Sequence, residues 1–302
     1  MTDAIRPGRA FTDDRGEVAQ LHGCAPLRVG DRWYAWGEDK TRGSLFTAVA
    51  CYSSEDLVSW RFEGDSLAVQ DHPDLGADRI VERPKALQRP DGTLVMFLHI
   101  ESEDYSFARV GYATAQDPVG PYSYVGSECP LGNISRDIGV YQEDGVGYLL
   151  SEDRENGLHI YRLRDDYLAV ESLVATLRQQ ARPEIGYESP ALVRHDGRYH
   201  LFGSDLTGWS TNDNKVATAE SLAGPWSDWM DIAPAGSATF DSQVSAVVPL
   251  GGDDFLYVGD RWQQHDLFNS PAVWLPMTIR DGVVRMDWVH EWTPQMPARS
   301  SG

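Results

Sequence analysis

Five polar residues stand just ahead of five apolar runs, each of which ends in a tight turn. His22 lies nine residues before Asp31, Glu82 nine before Asp91, Asp137 seven before Asp144, Glu188 eight before Asp196 and Gln243 ten before Asp253. Because an apolar run begins directly after each one, the polar side chain sits at a strand entry and not on a solvated face. If the five entries converge, three carboxylates, an imidazole and a carboxamide share one pocket. Carboxylates confined together cannot ionise independently, and at least one is pushed up in pKa. A protonated carboxyl near an ionised one suits glycoside hydrolysis, in which one group protonates the leaving oxygen and water attacks the opposite face of the sugar. Polar groups that only satisfied the backbone around a channel would not need three acids at matched positions.

The turns show what would bring these entries together. Gly30-Asp31, Asp91-Gly92, Asp144-Gly145, Asp196-Gly197 and Gly252-Asp253 each join an apolar run to a second one rich in aromatics. This is hairpin chemistry, since a tight turn needs positive φ at its centre. Counted at their Asp, the turns are 60, 53, 52 and 57 residues apart. A self-similar period near fifty predicts an all-β fold, a five-bladed β-propeller with one blade per repeat, forming a single catalytic domain over residues 1–302. A second element keeps the same beat. Ala113-Thr114-Ala115 followed by Gly120-Pro121-Tyr122-Ser123 recurs as Ala217-Thr218-Ala219 followed by Gly224-Pro225-Trp226-Ser227, 22 and 21 residues after the hairpin Asp. The innermost strand of each blade lines the axis, so the five entries meet at one mouth. The ring is expected to close by pairing of the chain ends, with residues 10–20 or 283–292 completing a terminal blade, because an open edge invites aggregation. Only residues 165–180, with Tyr167-Leu168, Leu173-Val174 and Leu177, are spaced as a short helix.

Composition narrows the partner. A net charge of −20 repels nucleic-acid phosphates and suits a neutral partner, as an oligosaccharide or glycan would be, a cationic one, or simply a soluble surface. There is no apolar run of membrane-spanning length, and Met1 to Pro7 lacks the apolar core of a signal peptide, so a cytoplasmic location is expected. Three cysteines without a CxxC spacing indicate neither a disulfide framework nor a zinc site. His99, His159, His195, His200 and His265 have no ligand spacing and read as structural or surface residues, leaving no metal site. Ten tryptophans suit both blade packing and stacking on sugar rings. Trp33, Trp36, Trp60, Trp226, Trp229 and Trp288 read as packing, whereas Trp209 and Trp262 are open to either use. Glu152-Asp153 ends a strand of the third blade near the pocket face.

Several short motifs in fixed order carry a resemblance: Trp36-Gly37-Glu38, Glu82-Arg83-Pro84-Lys85, Ser135-Arg136-Asp137, Glu188-Ser189-Pro190-Ala191, Thr207-Gly208-Trp209, Ser242-Gln243, Gly259-Asp260-Arg261-Trp262 and Val273-Trp274-Leu275-Pro276. Together they resemble glycoside hydrolase family 43, and within it the exo-β-1,3-galactanase branch. The resemblance implies a five-bladed propeller with an inverting mechanism at the non-reducing end of a glycan. It implies Glu188 as general acid and Asp137 as the carboxylate that orients it. Most of the family places an Asp base where this chain has His22-Gly23. The galactanase branch lacks that Asp as well, and a Gln matching Gln243 stands in. Glu82, Glu38, Tyr105 and Thr207 match positions that grip the terminal sugar, and His22, Trp209 and Arg261 are further candidates for contact with it. No cofactor is implied as required; a channel cation such as calcium occurs in some relatives, and nothing in the sequence indicates one here. The alternatives are a β-galactofuranosidase or α-L-arabinofuranosidase of the same family, or a non-catalytic glycan-binding propeller.

Overall fold

The computed structural model describes residues 4–183 and 185–295. Within them the chain folds into five four-stranded antiparallel sheets, each built from consecutive strands. The first holds β1 (Leu27–Val29), β2 (Arg32–Glu38), β3 (Ala48–Ser54) and β4 (Arg61–Ala68); the second holds β5 (Ile80–Gln88), β6 (Leu94–Glu101), β7 (Arg109–Ala115) and β8 (Ser123–Glu128). The third holds β9 (Ile138–Glu143), β10 (Val146–Asp153), β11 (Gly157–Leu163) and β12 (Val170–Leu177). The fourth holds β13 (Glu188–His195), β14 (Arg198–Ser204), β15 (Lys215–Ala219) and β16 (Met230–Asp231), and the fifth β17 (Gln243–Gly251), β18 (Asp254–Asp260), β19 (Ala272–Arg280) and β20 (Val283–Met286). These are the five blades of a β-propeller.

Each anticipated turn joins the first two strands of a blade. At Asp144-Gly145 (φ 50° and 76°) and Asp196-Gly197 (φ 46° and 74°) both central residues are left-handed, the conformation a two-residue hairpin requires. The first strands, β1, β5, β9, β13 and β17, follow one another round the axis. They approach closely: a Cβ on Gly139 of β9 would lie 2.1 Å from the carbonyl oxygen of Pro190 on β13. Apolar packing fills the wedges between blades. Among the described residues five buried clusters occur, and each is shared by two neighbouring blades.

The ring closes where blade five meets blade one. Ile5 N–H donates to Trp292 O at 2.8 Å and Trp292 N–H to Ile5 O at 3.0 Å, so the chain ends do pair. β20, within the anticipated 283–292 segment, completes blade five, whereas residues 10–20 add no blade strand. That segment instead folds on itself through the bridge Thr12↔Val18, and Ala19 and Leu21 follow into the core between blades one and five. The helix expected at 165–180 is not formed. Residues 170–177 are β12, the outer strand of blade three. Two register shifts against β11 break the period-two alternation there, and β-branched Val170, Val174 and Thr176 favour the strand. A bulged edge strand thus spaces its apolar residues much as a helix does.

Trp274 of β19 is the seam of the closure. It is 1% exposed, with Phe11 at 4.7 Å and Trp60 edge-on at 5.8 Å between ring centroids. Trp274→Ala is therefore expected to cost about 3–5 kcal/mol, as for other buried large-to-Ala truncations, measured by urea unfolding.

Candidate active site

Local backbone distortions aim the pocket side chains. β5 shifts register between Glu82 and Lys85, and β13 does so between Glu188 and Ala191. At both places the residue after the carboxylate is left-handed, Arg83 (φ 53°) and Ser189 (φ 53°), and a proline follows. Proline cannot join a ladder and is tolerated at bulges. The bulge also cancels strict alternation, so that Glu82 and Arg83 both reach the pocket.

Gln243 is delivered differently. Ala238, Thr239, Phe240 and Asp241 are consecutively left-handed, with φ of 50°, 50°, 59° and 56°. This conformation costs L-residues about 1–2 kcal/mol each, and several contacts hold it. Arg261 donates from Nη2 to Phe240 O at 2.5 Å and from Nε to Asp241 O at 3.2 Å. The Asp213 carboxylate accepts the N–H groups of Gly236 (2.6 Å) and Ala238 (2.7 Å), and Thr239 Oγ1 accepts that of Asn214 (2.7 Å).

The strand entries open on a pocket of about 570 Å³. Glu82, Asp137, Glu188 and Gln243 line it, with Glu38, Tyr105 and Trp209. Three candidates stand elsewhere. His22 is buried beside Trp262, with ring centroids 5.8 Å apart, and burial lowers its pKa to about 4, so its imidazole is neutral. The Thr207 hydroxyl is held within its own loop by Ser210 O (2.5 Å) and Asn212 Nδ2 (2.8 Å). Arg261 is committed to the left-handed turn. Trp262 lines the pocket and donates from Nε1 to Gln243 Oε1 at 3.1 Å. The six tryptophans read as packing are all buried or half-buried against the blade cores.

The hub of the site is a residue to which the sequence alone gave no role. Arg83 Nε donates to Asp137 Oδ1 at 3.2 Å, and its Nη2 lies 3.1 Å from Asp137 Oδ2 and hydrogen-bonds Gln243 Oε1. Nη1 is 3.5 Å from Asp260 Oδ2, and the Arg83 backbone N–H donates to Glu38 Oε1 at 2.9 Å. Glu38 also meets Lys40 Nζ at 2.5 Å, and Lys40 lies 3.7 Å from Glu82. Only glycine fits at Gly23, where φ is 64° and a Cβ would sit 2.1 Å from Glu38 Oε1. His99, read from sequence as structural or surface, is buried in the pocket wall. Its Nδ1 is 3.6 Å from Glu82 and 3.9 Å from Asp137, while Nε2 is 3.2 Å from Glu101. Glu152 lines the pocket as well.

These contacts drive the carboxyl groups apart. Burial works against the Asp137 charge, but Arg83 and His99 more than offset it and hold its pKa below the ordinary value. Burial, aided by the charges of Asp137 and Glu152, pushes Glu188 well above its ordinary value. Its one close partner is an amide: Gln243 Nε2 donates to Glu188 Oε1 at 3.0 Å and to Ser204 Oγ at 3.0 Å. Glu82 is raised by burial and by Glu38, against Lys40 and His99. Below the pocket Lys85 Nζ closes the axis, donating to Gly23 O (2.6 Å), Ser245 Oγ (2.8 Å) and Ser245 O (3.0 Å). Among the described residues one group could offer three metal ligands close together: His195, Asp196 and Asp253, on the hairpins of blades four and five. Arg280 already neutralises Asp253 there at 3.2 Å.

The raised Glu188 carries a stability signature. Unfolded, its carboxyl titrates near about 4.3; folded, it keeps its proton to higher pH. The native state therefore binds the extra proton over that window, and stability falls as pH rises through it. Glu188→Gln lacks this penalty, so the variant is expected to melt above the parent near neutral pH. The difference should vanish below about pH 4, where the parent carboxyl is protonated in both states.

The geometry has close counterparts. Residues 25–230 match the model of glycosyl hydrolases family 43. A Bifidobacterium bifidum s17 protein to which exo-β-1,3-galactanase activity has been ascribed is 49% identical over 94% of this chain and 97% of its own, with a TM-score of 0.92. The exo-β-1,3-galactanase of Phanerochaete chrysosporium, crystallised with galactose, is 38% identical over 97% of this chain and 69% of its own, also at 0.92. The enzyme of Clostridium thermocellum is 32% identical over 95% and 66%, at 0.87. No curated protein sequence matches at a significant level. By its family match and by its identity to these structures over nearly its whole length, the chain belongs to glycosyl hydrolases family 43.

Proposed function

We propose that the protein is an exo-acting, inverting β-1,3-galactosidase of the exo-β-1,3-galactanase type, with Glu188 as proton donor. The observation that carries this reading is two carboxyls driven apart in one pocket, Asp137 paired with Arg83 and held below its ordinary pKa, and Glu188 pushed well above its own by burial and the Asp137 charge. Galactose comes from the relatives: the Phanerochaete enzyme was crystallised with it, and a Glu→Gln variant of that enzyme with β-1,3-galactotriose. The reading requires no cofactor, because Arg83 and Lys40 supply the positive charge that the clustered carboxylates need.

In this mechanism Glu188 gives its proton to the leaving oxygen as the glycosidic C–O bond breaks, while water attacks the anomeric carbon from the other face and releases one proton to solvent. Asp137, fixed by Arg83, raises the proton affinity of Glu188 and does not compete as an acid. Gln243 fixes the attacking water, and Glu82 grips a sugar hydroxyl together with Tyr105, whose hydroxyl donates to Glu82 Oε1 at 3.2 Å. Both ends of the Gln243 amide are held in the free protein, the oxygen by Arg83 and Trp262 and the nitrogen by Glu188 and Ser204. Recruiting the water therefore means exchanging one of these partners when sugar binds.

Proton NMR of the reaction with β-1,3-galactobiose is expected to show α-galactose as the first product; β-galactose first would sink the inverting mechanism. Glu188→Gln should lower turnover by about 10²–10⁴, the usual scale for losing general acid catalysis, and far less on substrates whose leaving group departs unprotonated. Gln243→Ala should stop hydrolysis while calorimetry still detects sugar binding, and Glu82→Ala should weaken binding itself. If Gln243→Ala stays active and Glu82→Gln is dead yet still binds, the base is Glu82. A panel of nitrophenyl glycosides checks the sugar, since preference for arabinofuranoside or galactofuranoside would replace the galactosidase reading.

A further inference from the structure

Glu152 lies at the pocket end of β10 and is 1% exposed, yet neither carboxylate oxygen has a hydrogen-bond partner. A buried carboxyl left in that state is costly. Its backbone is fixed against the neighbouring strand entry, because Glu152 N–H donates to Asp137 O at 2.9 Å and Arg136 N–H to Glu152 O at 2.9 Å. Two residues on, Arg154 spans two acids: its Nε is 3.7 Å from Glu152 Oε1 and its Nη2 is 3.6 Å from Glu188 Oε2. Both separations exceed the ~2.7–2.9 Å of a tight charged hydrogen bond, so one guanidinium is shared between two carboxyls and is captured by neither.

We propose that Glu152 is a positioning residue for the acid: by occupying the charge of Arg154, it prevents that cation from stabilising the Glu188 carboxylate and so keeps Glu188 protonated between turnovers. The inference rests on Glu188 being the proton donor. One positive charge between two acids compensates one negative charge, so the pair retains one proton. The charged groups facing Glu152 are Arg154, Asp137, Arg136 and His99, and those facing Glu188 are Asp137, Glu152, Arg83 and Arg154. Burial raises Glu152 to about 7, and burial with the Asp137 and Glu152 charges raises Glu188 well above its ordinary value. In the proposed arrangement the shared proton rests on Glu188, and Arg154 compensates Glu152. In each turnover the proton passes from Glu188 to the leaving oxygen, the attacking water releases one proton to solvent, and one returns from solvent to Glu188 past the half-exposed Arg154, so no proton is gained or lost overall.

Two variants move the acid in opposite directions. In Glu152→Gln the guanidinium of Arg154 is left to Glu188 alone, and the alkaline limb of kcat/KM on β-1,3-galactobiose should move to lower pH by about one unit or more, the scale of a charge at this range. In Arg154→Gln the cation is gone, and the limb should move to higher pH. A carbon-13 titration of the Glu188 carboxyl without substrate should show the same two shifts. A folded Glu152→Gln whose Glu188 titration matches the parent overturns the proposal. If that variant does not fold, an Arg154→Gln titration that stays put or moves to lower pH overturns it instead. A parent protein that leaves β-1,3-galactobiose intact refutes the proposed function and not the coupling, because the carboxyl titration needs no substrate.

Discussion

The pocket is organised around one buried guanidinium. Arg83 comes from blade two, yet its fork and backbone N–H touch Asp137 of blade three, Gln243 and Asp260 of blade five and Glu38 of blade one. Taking such a cation out of water is expensive and is repaid only by several well-placed partners. A lysine could not replace it, because an ammonium is a point charge, whereas the planar fork meets a carboxylate on two bonds and still has donors to spare. The consequence reaches Glu188, with which Arg83 forms no hydrogen bond or ion pair. With Arg83 spent on Asp137, Glu188 in blade four is left with an amide and a distant, shared arginine, and burial raises its pKa.

Holding this arrangement costs stability. A chain optimised only for folding would place no left-handed run at 238–241 and would not gather Glu38, Glu82, Asp137, Glu152, Glu188 and Asp260 around one mouth. Strain of this kind persists only where the surroundings over-determine it. Here the surroundings are the five inter-blade cores, which make the propeller rigid enough to carry a destabilised centre. Burial and the Glu38 charge raise Asp260 to about 6 even beside Arg83 and Lys85, and burial with the Arg83 charge depresses Lys85 to about 8. Unlike charges at the axis are thus softened by crowding among like ones.

How much of this the sequence disclosed follows from where each group sits. Glu82, Asp137, Glu188 and Gln243 are legible because each stands a similar distance, seven to ten residues, before a hairpin turn, and turn chemistry is local. Arg83 and Lys85 were in plain view within the Glu82 motif, but their role depends on partners in three other blades, and nothing local fixes those distances. His99 and Glu152 enter from the ends of second strands, β6 and β10, which the count back from the hairpin turns does not address. Arg261 and Thr207 fit the motif pattern, yet their polar atoms are consumed by neighbouring backbone. β12 was misread because bulges on an edge strand imitate helical spacing.

The same axis that gathers the site also bounds what can enter it. Beneath the pocket, Lys85 is fully buried and tied to the carbonyls of blades one and five, and at Gly139 not even a methyl group would clear the next strand. The cavity at the opposite mouth, about 550 Å³ and lined largely by apolar residues such as Leu27, Leu87 and Val247, is therefore a separate space and not a continuation of the pocket. A glycan cannot thread through the ring. The pocket is charged where Glu38, Lys40 and Glu82 meet, and Trp209, which also lines it, stands 44% exposed.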